Sequence, residues 1–265
     1  MTFDAHTNDA PVDQIAIIAT ERGGTRKTAT AAALTSFFLA RTPDVSVCQI
    51  DDQLTLPSMF GDLVTTIRMP SADTLRQDDL ADAVALEPLF MQILEGRGVT
   101  IVDCGANNDA RFFDAAAALD LDHELAERRR AVTVIVPTTT HPDAILLACR
   151  TIKRAEAVLP TARIVPLLCE DGGSVEDLGV PSAQKAYTTI LKTLDRRYSA
   201  RHPRLPMRTL TAIGRTSLSP WQLPDMAIKD LMPEIKERMV LASYIRGDLT
   251  AWRAGMERTF AVLFG

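Results

Sequence analysis

The chain alternates short apolar runs with longer segments in which apolar residues recur every three to four positions. Several short runs are continuously apolar, which is typical of parallel strands that are covered on both faces. The longer segments have the spacing of amphipathic helices. The predicted strands are 14–20, 45–51, 98–104, 131–138, 162–169 and 205–213, and the predicted helices are 27–42, 78–96, 108–129, 141–159 and 181–201.

This alternation predicts an α/β fold with a doubly wound, mostly parallel sheet and helices on both faces. No internal repeat or low-complexity linker divides the chain, so we expect a single domain over 14–265. Residues 216–265 are expected to supply helices that pack on its flank. The polar, acidic residues 1–13 do not resemble a signal peptide, and we expect a disordered lead-in there.

A glycine-rich segment, RGGTRKT at 22–28, lies between the first predicted strand and the first predicted helix. Backbone N–H groups in such a turn surround an anion, and the helix N-terminus adds partial positive charge. Lys27 is placed to reach the β- and γ-phosphates of a nucleotide, and the Thr28 hydroxyl is placed to hold Mg²⁺. The predicted nucleotide-binding residues are Gly23, Gly24, Thr25, Arg26, Lys27, Thr28 and Ala29.

The segment resembles the deviant phosphate-binding loop of the ParA/MinD superfamily of P-loop ATPases, which reads K-G-G-x-G-K-[ST]. Arg22 stands where that family has a lysine that crosses a dimer interface to the partner's nucleotide. The resemblance therefore implies that Arg22 acts in trans, although its planar guanidinium differs from a compact ammonium. The matching positions are Gly23, Gly24, Lys27 and Thr28.

Arg26 is the main departure from that loop, because the family has glycine before the lysine. If the position requires a positive φ, a non-glycine residue costs about 1–2 kcal/mol. Two alternatives remain open at the level of sequence. Either the side chain of Arg26 obstructs the nucleotide, or the loop widens and the guanidinium contacts a phosphate.

The second predicted strand ends in QIDDQ, which resembles the D-x-D-P-Q run of the same family. Asp51 aligns with the second aspartate, and the resemblance implies that it orients the attacking water. Gln49 replaces the first aspartate and Asp52 replaces the proline. The alternative is that the two aspartates only mark the strand end or cap a helix.

The third predicted strand ends at Asp103 and resembles a Walker B strand, whose aspartate binds Mg²⁺ through water. A carboxylate at the carboxyl end of a strand lies at the ligand edge of such a sheet. Gly105 and Ala106 follow, and the resemblance implies that their loop is a switch ordered by phosphate. His141 precedes Pro142 near a predicted helix start, where we interpret it as a capping or turn residue.

The resemblance covers about residues 14–215 and implies a cytoplasmic ATPase that uses ATP and Mg²⁺ and dimerises around the nucleotide. Plasmid partition proteins and conjugation-associated StbB/TraL-like proteins belong to this group. The implied task is the positioning of DNA or a protein cargo with the help of a protein partner. Three alternatives stay open: a scaffold in which Arg26 impairs nucleotide binding, a MinD-type membrane-surface ATPase, and a small-molecule kinase.

Charge is distributed unevenly along the chain. The net charge is −5, which excludes a strong overall attraction to nucleic acid, but residues 185–215 carry +7. The resemblance implies non-specific DNA binding by such a segment, and the alternative is a solvated helix face. The candidate DNA-binding residues are Arg196, Arg197, Arg201, Arg204 and Arg208.

The C-terminal segment 249–265 has one apolar helical stripe. A membrane-surface helix requires several basic residues on its polar face, whereas here Arg253 and Arg258 are offset by Glu257. We therefore expect the stripe to pack in the core or a dimer interface rather than on a membrane. Its residues are Leu249, Trp252, Met256, Phe260 and Leu263.

Overall fold

The strands and helices were assigned in a computed structural model that describes residues 13–51, 53–169, 181, 184–186, 188 and 200–265. The strands are β1 Gln14–Ile18, β2 Val45–Ile50, β3 Val64–Ile67, β4 Val99–Cys104, β5 Ala131–Thr139, β6 Arg163–Cys169 and β7 Ala200–His202. The helices are α1 Lys27–Leu39, α2 Thr55–Phe60, α3 Ala72–Gln77, α4 Ala81–Glu95, α5 Asp109–Ala118, α6 Leu121–Glu127, α7 Pro142–Val158, α8 Met207–Ile213, α9 Ile228–Ile235 and α10 Met239–Phe264.

The seven strands form one sheet in the order β3-β2-β4-β1-β5-β6-β7, and their pairings are all parallel. This arrangement confirms the predicted doubly wound α/β fold. The central strand β1 lies between β4 and β5, so the loop that follows β1 is next to the loop that follows β4. The predicted nucleotide loop and Asp103 therefore meet at the carboxyl edge of the sheet.

Side-chain alternation along β1 explains why helices cover both faces. Ala16 and Ile18 pack with α1 and α10, whereas Ile15 and Ile17 pack with α4, α5 and α7. Because successive side chains of a strand point to opposite faces, a continuously apolar strand needs an apolar layer on each side. This requirement explains why the runs that form the central strands are continuously apolar in the sequence.

Several sequence predictions of elements differ from the structure. The segment 205–213, predicted as a strand, contains α8, which begins after Pro206 and buries Thr209 and Ala212 at helical spacing. The two edge strands of the sheet, β3 and the three-residue β7, were not predicted from the sequence. The predicted helix 108–129 divides into α5 and α6 at Asp120, whose φ is +49°. The predicted helix 181–201 lies largely outside the described residues.

The C-terminal helix α10 packs into the core through the apolar stripe that the sequence indicated. Its five stripe residues are at most 3% exposed, and the Phe260 ring lies 5.4 Å from the Phe37 ring of α1. The apolar stripe of α10 is therefore not free to lie on a membrane, as a MinD-type membrane-surface ATPase would require. The stripe comprises Leu249, Trp252, Met256, Phe260 and Leu263. Among the described helices, none combines the length and apolar character needed to cross a membrane.

Candidate functional site

The loop between β1 and α1 turns through two residues with positive φ. Gly24 has a φ of +73°, and Arg26, the N-cap of α1, has a φ of +70°. No side chain caps the N-terminus of α1 by a hydrogen bond. In the described residues, the amides of Gly23 and Gly24 have no acceptor either. A helix end and loop of this kind present N–H groups to an anion.

Arg26 adopts the left-handed conformation that glycine adopts at low cost, so the position does require a positive φ. Arg26 borders a cavity of about 530 Å³ together with Thr28, Met59 and Ile213. Loop residues 19–25 do not line this cavity. The cavity is next to the start of α1 and lies between α2 and the end of α8.

Lys27 is the first residue of α1, and its side chain folds back into the loop. Its Nζ donates to the carbonyl oxygens of Thr20 at 2.9 Å and Arg22 at 2.8 Å. The residue is only 7% exposed, and burial lowers the pKa of its ammonium, an effect that nearby Asp103 opposes. An ammonium has three N–H donors, so one donor remains for a further acceptor.

Asp103, near the end of β4, is a buried carboxylate that accepts no hydrogen bond of good geometry in the described residues. It is 0% exposed, and neither oxygen has a hydrogen-bond partner within the described residues. Burial raises its pKa to about 6, and the nearby Thr28 hydroxyl and Lys27 ammonium oppose that shift. The Thr28 hydroxyl thus lies near the carboxylate without a hydrogen bond of good geometry. Buried charges are normally paired or coordinate a metal, so Asp103 is suited to a cation.

The end of β2 brings a second carboxylate to the same edge. Gln49 pairs with Asp103 in the β2–β4 register, is fully buried, and donates to the carbonyl oxygen of Gln53. Asp51 is partly exposed, accepts from the Gln53 amide at 3.2 Å, and lies close enough to raise the pKa of Asp103. Asp52 is outside the described residues.

The loop after β4 is tied to both neighbouring segments. The Gly105 amide and the Asn108 side-chain amide donate to the Ile50 carbonyl oxygen at 2.9 and 3.0 Å. The Asn107 amide donates to the Glu21 carbonyl oxygen at 3.3 Å. The loop that the sequence predicted as a switch therefore contacts the phosphate-loop segment and the end of β2.

We expect Gly105→Ala to destabilise the protein by about 1–3 kcal/mol, because the new methyl group has no room. A Cβ at Gly105 would lie 2.5 Å from the Ile50 carbonyl oxygen and 2.9 Å from Asp51 Cγ. Urea unfolding measures the change. Gly247→Ala in α10 is the matched control, since its Cβ would meet nothing within 4 Å, and it should stabilise by about 0.5–1 kcal/mol. Equal stability of Gly105→Ala and the wild type would contradict this close approach.

Contacts with α7 hold the first half of the loop, and the sequence did not indicate them. The Glu21 amide donates to Thr151 Oγ1 at 3.3 Å, and the Thr151 hydroxyl donates to Asp109 Oδ2 at 2.8 Å. Both Thr151 and Asp109 are fully buried. The spacing of apolar residues in α7 places Thr151 on its buried face, which is a signal that sequence could have supplied.

Arg22, predicted to act in trans, is engaged within its own chain. Its guanidinium lies 3.5 Å from the carboxylate of Asp143 in the first turn of α7, and the arginine side chain is 32% exposed. His141 is the N-cap of α7 and accepts from the Asp143 amide at 3.3 Å, as its interpretation as a capping residue predicted. An exposed ion pair of this kind contributes little stability and opens readily.

Of the candidate DNA-binding residues, the structure describes Arg201, Arg204 and Arg208. Arg201 and Arg204 are exposed, while Arg208 forms an ion pair with Asp248 at 3.0 Å. Arg196 and Arg197 lie outside the described residues. The positive charge that the sequence assigns to this segment is therefore partly neutralised by the C-terminal helices.

Comparisons with known proteins bear on the fold. No protein-family model and no curated protein sequence matches the chain. A candidate plasmid partition protein from Borrelia burgdorferi B31, bound to AMPPNP, has a similar structure, with a TM-score of 0.50, 15% identity, and coverage of 95% of this chain and 98% of that chain.

Two further structures are more distantly similar. An ATP complex of McdA from Cyanothece has a TM-score of 0.45, 14% identity and coverage of 91% of this chain and 97% of its own. The MinC:MinD cell division complex from Aquifex aeolicus has a TM-score of 0.46, 12% identity and coverage of 88% and 96%. The likeness to the Borrelia protein shows that the chain shares its fold, which here is the doubly wound parallel α/β sheet that the alternation of strands and helices predicted.

Proposed function

We propose that the chain binds a nucleoside triphosphate, ATP, with Mg²⁺ at the β1–α1 loop and hydrolyses it as a ParA/MinD-like ATPase. The observation that carries this proposal is Asp103, a fully buried carboxylate without a hydrogen-bond partner in the described residues, beside Lys27 and Thr28. Such a group is costly unless a cation compensates it. A Mg²⁺ site would explain why an aspartate is buried at this position.

The residues present fit Mg²⁺ bound together with a nucleotide. Mg²⁺ in ATPases uses one or two protein oxygens and completes its shell with phosphate oxygens and water. Thr28 and Asp103, the latter through water, would hold the ion, which would neutralise charge on the phosphates. No cluster of three metal-ligating side chains occurs among the described residues, and a nucleotide-dependent site does not need one.

The remaining roles follow from the positions of the side chains. The amides of the loop from Gly23 to Ala29 and the third donor of Lys27 would bind phosphate. Asp51, partly exposed at the end of β2, would orient the attacking water. The protein would act mainly by positioning and by stabilising charge.

Arg22 would act on the nucleotide of a second copy of this chain. To do so it must leave Asp143, from which it is separated by 3.5 Å in an exposed contact. Such a contact is weak enough to be exchanged for a phosphate, which accepts a bidentate guanidinium more strongly. The proposed active form is therefore a homodimer around the nucleotide.

The proposed task is the positioning of DNA or a protein cargo, as in plasmid partition or conjugative transfer. The similar Borrelia structure is that of a candidate plasmid partition protein with AMPPNP bound, which supports this choice. Exposed Arg201 and Arg204 would contact DNA backbone without reading sequence.

A second function is favoured by Arg26 and Lys27. Arg26 occupies a left-handed position beside the loop, and the Lys27 ammonium is bonded to two carbonyl groups of its own loop. These features would suit a scaffold that binds a protein partner and no nucleotide. A measurement of nucleotide binding distinguishes the ATPase from the scaffold.

We expect saturating Mg²⁺–AMPPNP to raise the Tm of the wild-type protein by about 5–10 °C at 100 times its Kd, because a ligand that binds only the native state stabilises it. Differential scanning fluorimetry measures the shift, with AMPPNP plus EDTA as the control. Arg26→Gly should keep a shift of similar size. If the wild type shows no shift and Arg26→Gly gains one, the scaffold function is correct.

A further inference from the structure

A surface groove lies at the corner where α9 meets α10, far along the chain from the β1–α1 loop. We call it the α9–α10 groove; its volume is about 910 Å³, and its apolar lining consists of Met232, Pro233, Val240, Leu241 and Tyr244. Val240 and Tyr244 are 64% and 63% exposed. Apolar residues grouped in this way on a surface mark an interaction site more often than single exposed ones do.

Basic side chains border the groove. Lys229, Lys236 and Arg238 line it, and no ion pair of these three occurs within the described residues. The single acidic lining residue, Glu237, is neutralised by Arg215 at 2.6 Å. The groove is thus locally positive on a chain whose net charge is −5.

The acidic residues of α9 lie on faces of the helix other than the face that lines the groove. Lys229, Met232 and Pro233 lie on one face of α9 by helical spacing, and Lys236 is the C-cap that follows the helix. Asp230 and Glu234 fall on other faces by the same spacing. Glu234 also accepts a hydrogen bond from the Thr216 hydroxyl. The positive charge at the groove is therefore not cancelled from α9.

We propose that the α9–α10 groove binds an acidic amphipathic helix of a protein partner. The two converging helices form a trough with an apolar floor, which is the shape that accepts a third helix through apolar residues at i, i+3 or i+4. The basic border complements acidic residues that flank those apolar positions. Tyrosine and arginine, both present here, are the residue types that dominate binding energy at such interfaces.

Two other occupants fit the surface less well. A DNA backbone would use the basic border but would leave Val240, Leu241 and Tyr244 without an apolar partner. A second copy of this chain would have to bring an identical basic groove to a two-fold interface, where Lys236 and Arg238 would repel their own copies. The charge and the apolar floor together favour the acidic helix.

The experiment uses the full-length protein and a phage-displayed library of random sixteen-residue peptides as the probe. Enriched peptides are synthesised with a fluorophore, and their Kd is measured by anisotropy. We expect them to carry several Asp or Glu residues together with apolar residues at helical spacing. Val240→Asp should weaken binding at least about tenfold, because it places a carboxylate on the apolar floor.

Matched controls separate the groove from general surface effects. Val262→Asp makes the same change on the same helix at a residue that is 65% exposed, and it should leave the Kd within about twofold. The double variant Lys236→Glu/Arg238→Glu should weaken binding at least about tenfold, whereas Lys153→Glu on α7 should not.

Three results would overturn the proposal. Peptides that lack acidic residues, or that bind the Val240→Asp variant as tightly as the wild type, would show that the groove is not their site. A 24-base-pair duplex whose binding is lost in Lys236→Glu/Arg238→Glu and unchanged in Val240→Asp would assign the surface to DNA. A wild-type dimer that Val240→Asp converts to a monomer in sedimentation velocity would assign it to a second copy.

Discussion

We expect the ligand-free wild-type protein to lose stability between pH 4.5 and 7.5, and the Asp103→Asn variant to show no such loss. The same variant should also remove the Mg²⁺ dependence of nucleotide binding. In the wild type, burial raises the pKa of Asp103 to about 6, whereas an unfolded chain has an aspartate pKa of about 3.9. A difference of about two units between the folded and unfolded states corresponds to about 3 kcal/mol in total.

The direction follows from which state holds the proton. Because the folded pKa of Asp103 is raised, this group favours folding below about pH 4 and loses that contribution as the pH rises through about 6. At pH 7.5 the carboxylate is ionised, fully buried and without a hydrogen-bond partner in the described residues. An asparagine carries no charge, so its stability lacks this pH dependence.

Urea unfolding of both proteins between pH 4.5 and 7.5 measures the effect. The wild type should lose about 2 kcal/mol relative to Asp103→Asn over this range, which covers most of the titration. Asp114→Asn removes the same charge from an exposed position on α5, and it should follow the wild type. Parallel stability profiles for the wild type and Asp103→Asn would show that the carboxylate is compensated in solution.

Nucleotide binding tests the same residue independently of stability. With Mg²⁺ present, the wild type should bind AMPPNP at least about tenfold more tightly than in EDTA, since a bound cation compensates the buried carboxylate. Asp103→Asn should bind AMPPNP equally in both buffers. Isothermal titration calorimetry at a temperature where both proteins are folded gives the two ratios.

Much of the fold could be predicted because it depends on local patterns. Continuously apolar β1 and β4 indicated strands with two covered faces, and the order of loop, Asp51 and Asp103 placed them at one edge of the sheet. A positive φ at Arg26 could also be anticipated from the glycine that related loops have there. These features are set within a few residues of chain and need no knowledge of tertiary contacts.

Other features depend on distant contacts and could not be predicted. Segment 205–213 is apolar enough for a strand, but α10 packs against it and the three residues of β7 take the sheet edge. The sequence indicated that Arg208 belongs to a positive patch, whereas in the structure it forms an ion pair at 3.0 Å with Asp248, which is forty residues away in the chain. In the sequence Asp109 is one of several polar residues at the start of a predicted helix, and only folding shows that it is buried against Thr151.

Lys27→Met is expected to weaken Mg²⁺–AMPPNP binding at least about 100-fold, which corresponds to about 2.7 kcal/mol or more. The side chain of Met occupies similar space but has neither the charge nor the three donors of the ammonium. Lys27 is only 7% exposed, so solvent would screen its interaction with a phosphate little.

Calorimetry at physiological salt measures this loss, and Lys153→Met, which removes an exposed ammonium from α7, should bind as the wild type does. Affinity within about threefold of the wild type would show that Lys27 stays with the Thr20 and Arg22 carbonyl groups and holds no phosphate. The Lys27 and Asp103 variants also differ from each other in a defined way. Lys27→Met should lose binding in both Mg²⁺ and EDTA, because it removes a phosphate ligand, whereas Asp103→Asn should lose only the part that Mg²⁺ adds.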